Sequence, residues 1–118
     1  MIDYHKQLVA VLSEILPTHY EMTLTKDTEV PCISYMEAGN YDEATGETLG
    51  YSTVSYQLKV WGTSIGLLQT YARRVDDAVR ALGFKRTGST EIHDRTSNMI
   101  QKVMIYEALG LEHFNKEV

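Results

Sequence analysis

The residues of this chain that could do chemistry are few, and their spacing does not gather them into a reactive centre. Histidines stand at positions 5, 19, 93 and 113. No two have the close spacing of a zinc-binding pair, and neither C-x-x-C nor H-E-x-x-H occurs. His93 and Asp94 are adjacent, as a base and its orienting carboxylate are in some hydrolases, but they lead into RTSN, a run of turn formers, and read as a surface turn. Ser13, Ser34 and Ser89 lack the strand-turn-helix glycines of a nucleophile elbow. Neither G-x-G-x-x-G nor G-x-x-x-x-G-K-[ST] is present to cradle a nucleotide phosphate. Cys32 is the one cysteine, so no intrachain disulfide forms, and its setting in VPCISY predicts a core thiol. Asp42, Glu43 and Glu47 concentrate carboxylates that a cation would accept, but their spacing departs from that of an EF-hand loop and reads as a solvated acidic loop. The expectation is a protein with no catalytic, cofactor or metal site, which is not an enzyme.

Function is then sought in surfaces. Over Tyr51–Trp61, YSTVSYQLKVW, Ser52, Val54, Tyr56, Leu58 and Val60 fall on one side of an extended chain. Tyr51, Thr53, Ser55, Gln57, Lys59 and Trp61 fall on the other. This period-2 alternation predicts a strand buried on one face. Tyr51 and Trp61 lie on its polar side, and large aromatics on an exposed face are enriched at interfaces. The segment before it, GNYDEATGETLG at 39–50, is polar and acidic, with three glycines. It reads either as a long loop or as a hairpin tip extended by Tyr41 and Leu49. The candidate interaction residues are therefore Tyr41, Asp42, Glu43, Glu47, Leu49, Tyr51 and Trp61.

The elements that must position them follow from periodicity. Tyr4, Leu8, Val11, Leu12 and Ile15 make a helical stripe over 3–16, with Asp3 as N-cap and Pro17 as stop. HYEMTL at 19–24 alternates through Tyr20, Met22 and Leu24 as a strand, and a second strand runs over 31–38. A second helix is expected over 64–82, with Ile65, Leu68, Ala72, Val75, Val79 and Leu82 on one stripe and Gly83 just beyond it. Asp76 and Asp77 precede Arg80 at ion-pair spacing. Strands over 84–93, interrupted near Gly88, and over 99–109 flank a turn at 94–98. Residues 111–118 read as a polar tail. The order is α-β-β-β-α-β-β. Consecutive strands without intervening helices predict hairpins. The fold class is α+β, with two helices packed on one face of a mostly antiparallel sheet and the other face left to water or a neighbour.

Composition agrees with one domain spanning 1–118. A chain of 118 residues, 43% hydrophobic, builds a core without staples. With 11 Lys and Arg against 16 Asp and Glu, the net charge of −5 disfavours direct nucleic-acid binding, which needs clustered cations. The N-terminal run lacks the basic start and small-residue cleavage site of a signal peptide, and no apolar run approaches the roughly 20 residues that span a bilayer. A cytoplasmic origin and no membrane partner are expected.

VPCISYMEAGNYDEATGETLGYSTVSYQLKVWG, ALGFKRTGSTEIHD and QKVMIYEALGLE together resemble the tail-terminator (tail-completion) proteins of long-tailed bacteriophages, those of phages of Gram-positive hosts in particular. The features are a strand opening on Pro, a long acidic loop, a Tyr-Gln…Lys…Trp strand, a helix ending in Leu-Gly-Phe, and a closing strand with Tyr-Glu-Ala, covering about residues 4–114. The resemblance implies two helices on an antiparallel sheet. It also implies a ring, commonly a hexamer, that caps the completed tail tube, stops its polymerisation and offers a surface to the head-completion or connector protein. It implies no cofactor, a place in the virion tail after assembly in the host cytoplasm, and no site residue that carries over. A head-to-tail adaptor or minor tail protein, or a small enzyme or ligand-binding α+β domain, are the competing readings. A ring needs a heterologous, closing contact, and an open sheet with exposed edges is suitable material for it. The 39–50 segment is expected to reach toward the tube, the lumen or an adjacent subunit.

Overall fold

The computed structural model describes residues 4–42 and 52–110. The chain runs α1 (Tyr4–Ser13), β1 (Thr18–Tyr20), a 3-10 turn (Glu21–Thr23), β2 (Cys32–Asp42), β3 (Ser52–Gly62), α2 (Ile65–Ala81), β4 (Lys85–Asp94) and β5 (Met99–Gly110). This is the α+β order that the periodicities predict. The strands form one sheet in the order β1-β2-β3-β5-β4. Pairing is antiparallel everywhere except between β1 and β2, where Thr18, His19 and Tyr20 lie parallel to Ile33, Ser34 and Tyr35.

Both helices cover the same face. Leu8 and Leu12 of α1 and Leu68, Ala72, Val75 and Val79 of α2 pack on Val54, Tyr56, Leu58 and Val60 of β3, with Ile33, Met104 and Tyr106 beside them. The alternating strand thus turns its apolar set to the helices as expected. Each such side chain stabilises by roughly 1.5–3 kcal/mol relative to exposure, so this stripe-on-strand contact sets the sheet register. A one-residue slip of β3 would turn the whole set outward.

Helix boundaries have local causes. The Ser64 hydroxyl accepts from the Leu67 N–H and caps α2 at the residue where the expected helix range begins. Gly83 has φ +101, the left-handed region that ends helices and that glycine occupies at no steric cost. Ile65, predicted for the buried stripe, is instead exposed at the first residue of α2. The regular part of α1 ends at Ser13, short of Leu16, and the chain tightens as the Ile15 and Leu16 N–H groups both donate to the Leu12 carbonyl. Pro17 disfavours helical backbone at Leu16.

The largest correction concerns 19–24. The alternation of Tyr20, Met22 and Leu24 predicts a strand, but β1 stops at Tyr20 and a 3-10 turn follows. The Thr23 hydroxyl donates to the Tyr20 carbonyl at 2.6 Å and the Leu24 N–H donates to the Glu21 carbonyl, so local bonds replace ladder bonds. Met22 stands 75% exposed. From this turn the chain crosses the sheet face opposite the helices, where Glu21 Oε2 accepts from Lys59 Nζ at 3.1 Å. That face is therefore partly covered at one end, and is not left wholly to solvent or a neighbour.

Of the 39–50 segment the structure describes residues 39–42, and the choice between a loop and a hairpin tip falls on residues outside the described ones. The ladder of β2 with β3 continues through Tyr41↔Thr53 to Asp42↔Ser52, with an irregularity between Glu37 and Gly39. β4 is continuous but bulged between Arg86 and Gly88, where an interruption was predicted. The tail at 111–118 lies outside the described residues.

Candidate functional site

The chemistry-bearing side chains are dispersed. His5 Nε2 lies 3.0 Å from the Tyr35 hydroxyl at the surface, and His93 Nε2 lies 3.1 Å from Glu91 Oε2 on β4. His19 sits half-buried on β1, and His113 lies outside the described residues. Asp94, expected in the turn, is instead the last residue of β4, paired with Met99: its Oδ1 accepts from the Thr96 N–H, and this bond with that of Ser97 holds its carboxyl below the usual range. Cys32 is buried, and burial pushes its thiol pKa up, which leaves it protonated and unreactive at neutral pH. Among the described residues, no three His, Cys, Asp or Glu side chains gather to hold a metal ion.

One titratable cluster does form, and sequence spacing pointed to only part of it. The Tyr106 hydroxyl of β5 donates to Asp76 Oδ1 at 2.7 Å, Arg80 Nε donates to Asp76 Oδ2 at 2.9 Å, and an Arg86 guanidinium nitrogen lies 3.5 Å from Oδ1. Burial acts to raise the Asp76 pKa, but the two hydrogen bonds and the two arginine charges prevail and hold it below the usual carboxylate range. Burial first, then the Asp76 carboxylate, drive the Tyr106 pKa far above its ordinary value. The cluster ties α2 to β5 and β4. The grooves lined by Thr63, Asp94 and Ile100, by Leu24, Cys32 and Trp61, and by Val11, Ile15 and Arg74 do not include it. It therefore reads as a structural clamp between helix and sheet.

The predicted interaction residues are not one patch. Trp61 lies at one end of the β2–β3 hairpin, paired with Cys32, while Tyr41 and Asp42 lie at the other, paired with Thr53 and Ser52. At about 3.4 Å per residue, these ends are roughly 30 Å apart. Glu43, Glu47, Leu49 and Tyr51 lie outside the described residues. Trp61 is half-buried: its indole N–H donates to Ser34 Oγ at 2.8 Å, and Lys59 Nζ stands 5.6 Å from its ring centroid. With Leu24, Val30, Cys32 and Met99 it lines a groove of about 410 Å³ between the crossing segment and the β4–β5 turn.

The sheet edges are the other exposed feature. β4 pairs with β5 on one side, and no described strand pairs with its other side. β1 covers β2 only at Ile33–Tyr35, and no described strand pairs with that side of β2 from Met36 to Asp42. Neither edge could be read from sequence, because pairing partners are set by tertiary arrangement.

No protein-family model matches the chain, and no curated protein does. Among solved structures, it is similar to a chain in a structure described as the virion of a native gene transfer agent (GTA) particle, at 9% identity and a TM-score of 0.51, over 90% of each chain. At that identity the likeness is one of fold.

Proposed function

We propose that this protein is a structural component of a phage-type virion. Within that, it is a tail-terminator (tail-completion) protein whose copies form a ring, a hexamer, on the end of the tail tube. The ring stops tube polymerisation and presents a surface to the head-completion or connector protein. The observation that carries the reading is the likeness of fold, over nine-tenths of both chains, to a chain in the virion of a gene transfer agent particle. It comes together with the sequence resemblance over about residues 4–114. The dispersed histidines, the sealed Cys32 and the clamp-like Asp76 cluster support a protein that docks and is neither an enzyme nor a cofactor carrier. Its place is the tail of the virion, reached from the host cytoplasm during assembly.

Polymerising tail-tube protein in vitro with and without this protein tests the role. Capping predicts tubes that stop growing and carry extra density at one end. Binding to the connector alone, with no effect on tube growth, would instead assign the adaptor role. Deleting residues 41–48 tests whether the acidic 39–50 segment takes part, and predicts impaired ring formation or tail joining.

A further inference from the structure

Among the described strands the sheet has two edges without a partner, and they match each other. Strand direction alternates along β2, β3, β5 and β4, so β2 and β4 run opposite ways. Rotation about an axis along the strands keeps the direction of every strand. A neighbouring copy placed by such a rotation therefore brings its β2 antiparallel to β4.

Each open edge carries one irregularity followed by a glycine, between Glu37 and Gly39 in β2 and between Arg86 and Gly88 in β4. With Gly39 set opposite Gly88, Glu37 falls opposite Ser89, Met36 opposite Thr90, and Asn40 opposite Arg86. Every one of these pairs is consistent in face. Glu37 and Ser89 lie on the helix side through their partners Tyr56 and Met104, while Met36 and Thr90 lie on the outer side through Gln57 and Val103. Charge agrees as well, since Arg86, which also lies 3.5 Å from Asp76 Oδ1 in its own chain, then stands diagonally across from the register position of Glu37. Opposite charges on neighbouring strands favour pairing, and like charges oppose it.

We propose that the Lys85–Thr90 half of β4 in one copy pairs antiparallel with the Met36–Asp42 half of β2 in the next copy, so that the sheets join edge to edge up to the point where β1 begins. The contact is heterologous, as a closed ring requires, and it satisfies backbone groups that an isolated edge leaves to water. It rests on the ring assembly proposed above and specifies the surface that closes it.

The test is site-directed crosslinking in the full chain. Glu37→Cys and Ser89→Cys are introduced together and treated with a short bismaleimide, with oligomerisation followed in parallel by mass photometry. Cys32 is buried and stays in place, and the unmodified chain serves as its control. The expected result is a ladder of covalent multimers ending at the copy number of the ring, absent from either single variant and from a Ser89→Cys/Thr70→Cys pair on the helix side. Rings that assemble but give no ladder from Glu37→Cys/Ser89→Cys would overturn the edge contact and leave the ring standing. A chain that stays monomeric at every concentration would overturn both.

Discussion

The Tyr106 hydroxyl and the Asp76 carboxylate, 2.7 Å apart and 30 residues distant in sequence, join the closing strand to the second helix. Tyr106 is fully buried, and its hydroxyl also lies 3.5 Å from Met104 Sδ. A bond from a neutral donor to a charged acceptor contributes about 1.5–3 kcal/mol. Tyr106→Phe is therefore expected to lower unfolding free energy by about that amount, read from the denaturant midpoint at unchanged m-value. Asp76→Ala also frees Arg80 and Arg86 from their partner and is expected to cost at least as much.

The same carboxylate makes stability depend on pH. Its folded pKa is depressed, so the unfolded chain takes up the proton first as pH falls. The contribution is complete above the ordinary carboxylate range, near 4, and disappears as pH drops through the folded value. Urea midpoints measured from pH 6 down to 3 should fall in the native protein and fall less in Asp76→Asn.

Trp61 and Ser34 supply a test of the crossing segment. Ser34 is fully buried, and the indole N–H is its hydrogen-bond donor from across the ladder. Trp61→Phe keeps most of the apolar bulk but leaves that hydroxyl without its donor, at a cost of about 1–3 kcal/mol. Because the chain has a single tryptophan, native emission reports this site directly. It should lie to the blue of a solvated indole and shift red on unfolding.

Gly83 isolates a backbone effect. A Cβ built there meets nothing within 4 Å, yet φ is +101. Gly83→Ala is expected to destabilise by about 1–2 kcal/mol through conformation alone, seen as a drop in Tm with no change in near-ultraviolet circular dichroism.

What could be read in advance was whatever short-range chemistry decides. Ser64 and Gly83 mark the flanks of α2 because cap hydroxyls and left-handed glycines act within one turn. The inward set of β3 is legible because alternation alone assigns its faces. The segment after Tyr20 was misread because the Thr23 hydroxyl competes for the Tyr20 carbonyl, and an alternating pattern carries no record of that competition. The parallel pairing of β1, the half-burial of Trp61 and the Tyr106–Asp76 bond all depend on contacts distant in sequence. Nor does the sequence say which candidate interaction residues share an end of the sheet: the hairpin places Trp61 at one end and Asp42 at the other.

Thermal or chemical stability would be the same for a monomeric domain with this fold, so the central claim stands on assembly. Electron microscopy of the purified protein over a concentration series, with sedimentation velocity on the same samples, addresses it most directly. The account predicts closed rings with a central hole, populated increasingly as concentration rises. A single monomeric species at every concentration, with no ring in any field, would contradict it.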